Sequence, residues 1–345
     1  MAVALFSTLI TLLFGAQIAN AAGLSNQVTC STGHVTSNKA CCPLFPIVDN
    51  IQQNLHGGGA CGFGAHTALR LSFHDAIGFS IHGGKGGGAD GSILIFNTTE
   101  LAYDANVGID DITADQWPVF QTTGLSAGDF LHLAAAVGTA NCPGAPRLQY
   151  MFGRPPPVAP APDNTVPKPT DSVDSMLARM ADAGFSPAEL VALLASHSIA
   201  NVVDIDPTVA GIPLDSTSTT FDSQLFLEVL LKGTVFPGSG ANSGEVQSFT
   251  TAEMRLQSDS AIARDHRTAC SWQSMINNQA RMMTQFKAAM AKLQVLGQDT
   301  SKLIDCSDVI PVPKPFAGPI KYPSSFSQAN IEQKCTEFKF PSVGR

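Results

Sequence analysis

Apolar positions recur at helical spacing along most of the chain, while the strict alternation of half-buried strands is scarce, so the pattern predicts a mainly α fold. The clearest segment is SPAELVALLASHSIA, residues 186–200. Ser186 stands as N-cap, Pro187 at the first helical position and Glu189 three residues after the serine, a capping box ahead of an apolar run. That places His197 about three turns into a helix. DSVDSMLARMADAG (171–184) reads as a helix closed by Gly184, and SWQSMINNQARMMTQFKAAMAKLQVLG (271–297) as one long helix closed by Gly297. In LRLSFHDAIGFS (69–80) a helix puts Arg70 and His74 at i and i+4 on one face, with Phe73 one step round the same side and Asp75 pointing elsewhere. Taken alone, these are better read as solvated charges around a core histidine.

Three stretches break the helical pattern. RPPPVAPAPDNTVPKP (154–169) is too rich in proline for helix or central strand and divides the chain into similar halves. From Cys306 onward the chain is again proline-rich without periodicity, and is expected to wrap the outside, tied down by Cys335. The first residues, MAVALFSTLITLLFGAQIANAAG, run apolar from Ala2 to Phe14 and end at Ala19 and Ala21 in an A-x-A-like site, which reads as a secretory signal peptide, although a basic leading region is missing. The organisation expected is a signal peptide at 1–21, a first helical unit at 22–169, a second at 170–305 and an extended tail at 306–345. No later segment approaches ~18 uninterrupted apolar residues, so a soluble secreted protein is expected.

Composition sharpens this picture. Eight cysteines in an exported chain imply a disulfide framework, but eight allow ~105 pairings and spacing alone does not choose among them. Adjacent Cys41 and Cys42 show only that two bridges leave one point in different directions. A net charge of −8 and an isoelectric point near 5.4 argue against nucleic acid and anionic membranes as partners. Asn97, in NTT, is the only N-glycosylation sequon.

Two glycine-containing motifs invite wrong readings. GLSAG (124–128) fits the G-x-S-x-G of serine hydrolases, yet Ser126 stands three before Asp129 at the head of the helical DFLHLAAAVG, where an N-cap explains it better. GGKGGGADGS (83–92) lacks the G-K-[ST] ending of a phosphate loop and has no clear helix after it. Glycines that turn backbone carbonyls inward beside Asp90 and Ser92 suit a hard cation such as calcium, with Asp75 completing the cage from its helix. DSTSTTFD (215–222) repeats that chemistry with Asp215, Thr217 and Asp222 after His197.

LRLSFHD and LLASHSIA, together with GGGADGS, NCPGAP, DPTVAGIPLDST, QSDSAIARD, RTACSWQS and CSDVIP in this order, resemble the secreted class II haem peroxidases of fungi, the lignin, manganese, versatile and generic peroxidases. The match runs from about Cys30 to about Pro311. The resemblance implies two mostly helical domains enclosing haem b, four disulfides, two structural calcium ions and a monomer.

Residue by residue, the resemblance implies that His74 is the distal acid and base, Arg70 stabilises charge as the O–O bond of hydrogen peroxide breaks, Phe73 packs over the haem and Asn106 orients His74. His197 matches the proximal iron ligand and Asp259 its carboxylate partner. Asp75, Gly88, Asp90 and Ser92 match the distal calcium ligands, and Ser198, Asp215, Thr217, Thr220 and Asp222 the proximal ones. The implied bridges join Cys30 to Cys42, Cys41 to Cys306, Cys61 to Cys142 and Cys270 to Cys335.

Departures from the family pattern narrow the expected activity. The two glutamates and the aspartate that bind Mn(II) in manganese peroxidases are Phe63, Thr67 and Val203 here, and the exposed tryptophan of lignin and versatile peroxidases is Ala192. A phenylalanine common before the first proximal calcium aspartate is Leu214. The expected function is peroxide-driven, one-electron oxidation of phenols and other small aromatics at the haem edge. Trp117, Tyr103 or Tyr150 would add an electron route if exposed, whereas Trp272 is expected to be buried. A non-catalytic haem-binding protein is the alternative from another class, and a serine hydrolase the more distant one.

Overall fold

The computed structural model describes residues 27–316 and 318–344, so the expected signal peptide lies outside the described residues. Helices dominate: α1 (Leu44–Asn54), α2 (Phe63–Ala76), α3 (Ser92–Ile95), α4 (Asn97–Glu100), α5 (Asp110–Thr123), α6 (Ala127–Ala140), α7 (Val173–Asp182), α8 (Pro187–Leu193), α9 (Gln224–Glu228), α10 (Gln257–Arg264), α11 (Ala269–Met275) and α12 (Gln279–Leu293). The described strands form four two-stranded antiparallel ribbons of two-residue strands, one of which pairs Met151–Phe152 with Ile304–Asp305.

The first half is built around α6, every residue of which is buried. Its sequence, AGDFLHLAAAVGTA, is apolar all round, as a central helix must be. Small residues on α6 let α2 lie close along it; a methyl at Gly138 would stand 3.0 Å from Ala65 Cα. Ser126 Oγ accepts from Asp129 N at 3.2 Å, so GLSAG is an N-cap and not a nucleophile elbow. In the second half α12 lies along α8.

Three sequence expectations need correction. The capping box of α8 is present, with Ser186 N donating to Glu189 Oε2 at 2.7 Å, but the α-helix stops at Leu193 and Leu194–Ile199 winds as a tighter 3₁₀ segment. Ser198 Oγ bonds back to Ala195 O at 2.9 Å, a side-chain partner that competes with regular helical bonding. His197 therefore stands in the 3₁₀ segment. The long helix expected over 271–297 is two helices, because Asn277 takes a left-handed backbone (φ 51°) and Asn278 caps α12 through Arg281 N. Asn277 is held in that turn by Ser223 Oγ and Ser342 O. The glycine loop does lead into a helix, the single turn α3, started where Asp90 Oδ1 accepts from Ser92 N at 2.9 Å.

All four disulfides pair as the resemblance implies, spanning 12, 265, 81 and 65 residues for Cys30–Cys42, Cys41–Cys306, Cys61–Cys142 and Cys270–Cys335. Cross-links of this reach stabilise chiefly by restricting the unfolded chain. The tail is tied by Cys335 and by isolated bridges from Ile331 to Leu231 and from Lys321 to Gly344. Among the described residues no helix is long and apolar enough to cross a membrane.

Candidate active site

A cavity of about 610 Å³ lies between α2 and the 3₁₀ segment, with Arg70, Phe73 and His74 on one wall and His197 on the other. This volume suits a cofactor-sized ligand. Leu69, Met176, Leu193, Leu214, Ile262 and Met290 make much of its lining apolar.

On the first wall His74 is buried and its Nδ1 lies 2.9 Å from Asn106 Oδ1. Asn106 Nδ2 donates to Glu100 O at 2.9 Å, which fixes the amide so that its oxygen faces the ring. His74 Nδ1 therefore carries the hydrogen, and Nε2 is left with a lone pair. Burial first, and then the charge of Arg70, push the His74 pKa down to about 3, so the ring is neutral and ready to take a proton. Arg70 Nη2 donates to Val107 O at 3.0 Å and Nη1 lies 3.9 Å from Asp204 Oδ2.

On the opposite wall His197 Nδ1 donates to Asp259 Oδ2 at 2.8 Å. Burial pulls the His197 pKa down, but the carboxylate of Asp259, itself 1% exposed in the first turn of α10, more than offsets this and the pKa rises. With Nδ1 engaged, Nε2 is the free ligand atom. An apolar cavity with one oriented, electron-rich imidazole fits a haem held through its iron.

Behind α2, buried oxygens go unmet. Asp75 Oδ2 accepts from Gly91 N at 3.0 Å, whereas Asp75 Oδ1 and Ser92 Oγ are buried without partners. Burial pushes the Asp75 and Asp90 carboxyls up to about 7, and the Asp75 charge adds to the rise at Asp90. Gly88, with φ at +120°, borders this loop. His132 Nε2, also unpartnered, stands 3.5 Å from Asp75 Oδ2. The second cluster repeats the pattern: Asp215 Oδ2 is buried without a partner, Asp215 Oδ1 accepts from Thr217 N at 2.9 Å, and Thr217 Oγ1 donates to Asp222 Oδ1 at 3.0 Å. Thr220 N closes the loop onto Thr217 O, and Ser198 lies buried one residue after His197. Burial, with help from Glu228 and Asp222, raises Asp215 well above the carboxylate range, and burial raises Asp222 to about 6. Unmet carboxylate oxygens of this kind are what a hard cation satisfies.

Sequence reasoning missed Glu100. It ends α4, where it is fully buried with Oε2 unpartnered and its pKa pushed up to about 7 by burial. No local signal marked it. Of the expected electron routes, Tyr150 is fully buried and is not a surface site, while Trp117 and Tyr103 are half-buried. Trp272 is buried as expected, with Nε1 donating to Phe226 O at 2.9 Å. Cys61, His66 and Cys142 also come together, but the two sulfurs are bonded to each other and offer no thiolate.

Residues 47–278 match the family model described as peroxidase, and residues 281–344 match the fungal peroxidase extension region. The chain belongs to the peroxidase family. It is 51% identical to versatile peroxidase VPS1 of Pleurotus eryngii over 92% of this chain and 87% of that protein. It is 50% identical to manganese peroxidase 3 of Phlebia radiata over 98% and 95%, and 47% identical to ligninase LG2 of Phanerodontia chrysosporium over 97% and 93%. The peroxidase is thus an oxidoreductase acting on hydrogen peroxide, with the mostly helical fold of its family. At the three positions compared above with Mn(II) ligands, Phe63 is 54% exposed, Thr67 donates its hydroxyl to Phe63 O and Val203 lines the cavity, so none offers a carboxylate. Ala192 is 2% exposed within α8.

Proposed function

We propose that this peroxidase works outside the cell as a monomer, oxidising small phenols one electron at a time at the cavity edge. The observation that carries this reading is the pair of histidines on opposite walls, each with Nδ1 engaged, by Asn106 on one side and Asp259 on the other. Haem b supplies the redox-active iron that takes oxidising equivalents from peroxide. His197 Nε2 would hold that iron, and Asp259 would strengthen the imidazole as a donor. His74 Nε2 removes the proton from the near oxygen of peroxide and returns it to the far one, so that water can leave. Arg70 offers a fixed positive charge where negative charge develops, and Phe73, on the same wall, would pack against the bound haem. Calcium at Asp75, Gly88, Asp90 and Ser92, and at Ser198, Asp215, Thr217, Thr220 and Asp222, would neutralise the buried carboxylates and pin the segments that carry the two histidines.

The missing carboxylates at Phe63, Thr67 and Val203 argue against Mn(II) as reductant, and the buried Ala192 against a surface radical at that position. The test is peroxide-dependent oxidation of a simple phenol by the haem-loaded protein. Turnover is expected, and haem binding without turnover would leave a non-catalytic haem protein.

A further inference from the structure

The proline-rich connector, residues 154–169, is a motif to which the reaction assigns no task. It passes beside the distal wall, and its Ala161 is buried. The connector is wedged there at a fixed depth: a methyl at Gly86 would overlap the Pro160 carbonyl, and one at Gly78 would stand 2.8 Å from Ala161 Cβ. Prolines at 160 and 162 restrict the backbone on both sides of Ala161, so it is a stiff support.

Both peptide groups of Ala161 are gripped by the segment that aims Asn106. Tyr103 Oη donates to Ala161 O at 2.9 Å, and Ala161 N donates to Glu100 Oε1 at 3.0 Å. The same two residues hold Asn106 through their main chains. Asn106 N donates to Tyr103 O at 2.9 Å, and Asn106 Nδ2 donates to Glu100 O at 2.9 Å. Each carbonyl that fixes Asn106 therefore belongs to a residue whose side chain is anchored on Ala161. Asn106 in turn sets the tautomer and aim of His74.

We propose that Tyr103 is a positioning residue for the distal base, acting through Asn106, and that the connector is the support against which it works. This inference rests on the reading of His74 as the proton carrier. Losing the Tyr103 hydroxyl leaves the Ala161 carbonyl without its donor and unties from the connector one of the two residues whose carbonyls hold Asn106. A typical hydrogen bond contributes about 1 kcal/mol, equivalent to about a fivefold change in rate if all of it is felt by the aligned base.

The test is transient kinetics on haem-loaded Tyr103→Phe, with the peroxide step and the later reduction by a phenol followed separately through haem absorbance. The peroxide step is expected to slow about fivefold, with the phenol step, haem content and calcium content unchanged. Ala161→Gly, which keeps both peptide bonds but loosens the support, is expected to slow the same step by less. Tyr322→Phe, whose hydroxyl lies elsewhere, controls for loss of a phenol group and is expected to behave as wild type. A wild-type protein that does not react with peroxide would overturn the proposed function itself. A reactive wild type with Tyr103→Phe at the same rate would overturn this inference alone, as would equal slowing of both steps or loss of haem or calcium.

Discussion

His74 and Asp75 are consecutive on α2 and serve opposite sides of it: the His74 ring bonds Asn106 at the cavity, while Asp75 bonds the Gly91 amide behind the helix. A change at the proposed cation site would therefore act one peptide unit from the proposed base. Removing calcium by exhaustive chelation is expected to abolish activity before the protein unfolds, with the haem spectrum shifting as α2 drifts. Full activity and an unchanged spectrum in protein shown by metal analysis to be calcium-free would contradict this.

The same cage gives a pH dependence. Asp75 and Asp90 have folded pKa values raised to about 7, so in the calcium-free protein they retain protons that the unfolded chain releases from about pH 4 upward. Calcium-free stability should accordingly fall as pH rises between about 4 and about 7, and added calcium should remove most of that fall. Melting temperatures measured across this range with and without calcium check it; parallel curves would refute it.

His197→Ala should lose stable haem, because it removes the proposed iron ligand. His74→Ala should retain haem but react with peroxide ~10²–10⁴-fold more slowly, the usual contribution of a positioned acid–base group. Wild-type peroxide kinetics in His74→Ala would sink the assignment.

Asp259→Asn keeps the size of the side chain that receives the His197 Nδ1 hydrogen but removes its charge. The imidazole becomes a weaker donor, so the iron reduction potential should rise. Spectroelectrochemical titration of the two proteins reads this directly, and an unchanged or lower potential would be inconsistent with it.

Phenols should be turned over, whereas Mn(II) and non-phenolic methoxylated aromatics should not. A hard divalent ion needs several oxygen ligands, and Phe63, Thr67 and Val203 provide no carboxylate. Saturable Mn(III) formation would refute the missing-ligand argument. Oxidation of the non-phenolic substrate would point to half-buried Trp117 or Tyr103 as an electron route.

The residues of the two walls were legible in sequence because their spacing is local: Arg70 and His74 share a helix face, and Ser186 and Glu189 announce the segment that carries His197. What was not legible depends on distant partners. The 3₁₀ winding around His197 and the break at Asn277 are settled by side-chain bonds that compete with helical periodicity. Glu100 is partnered by the connector, some sixty residues later, through the Ala161 amide. Gly138, which lets α6 meet α2, looks like any small residue in an apolar run.

The span of the Cys41–Cys306 bridge also sets an order of events during synthesis. Cys61 and Cys142 can join as soon as the first half has emerged, and Cys42 can join Cys30 earlier still. Cys41 must wait, unpaired beside its occupied neighbour, until nearly the whole chain has emerged. Throughout that interval it can capture Cys30 in place of Cys42. The slowest step to the mature fold is therefore expected to be the closure that ties the first helical segment to the tail.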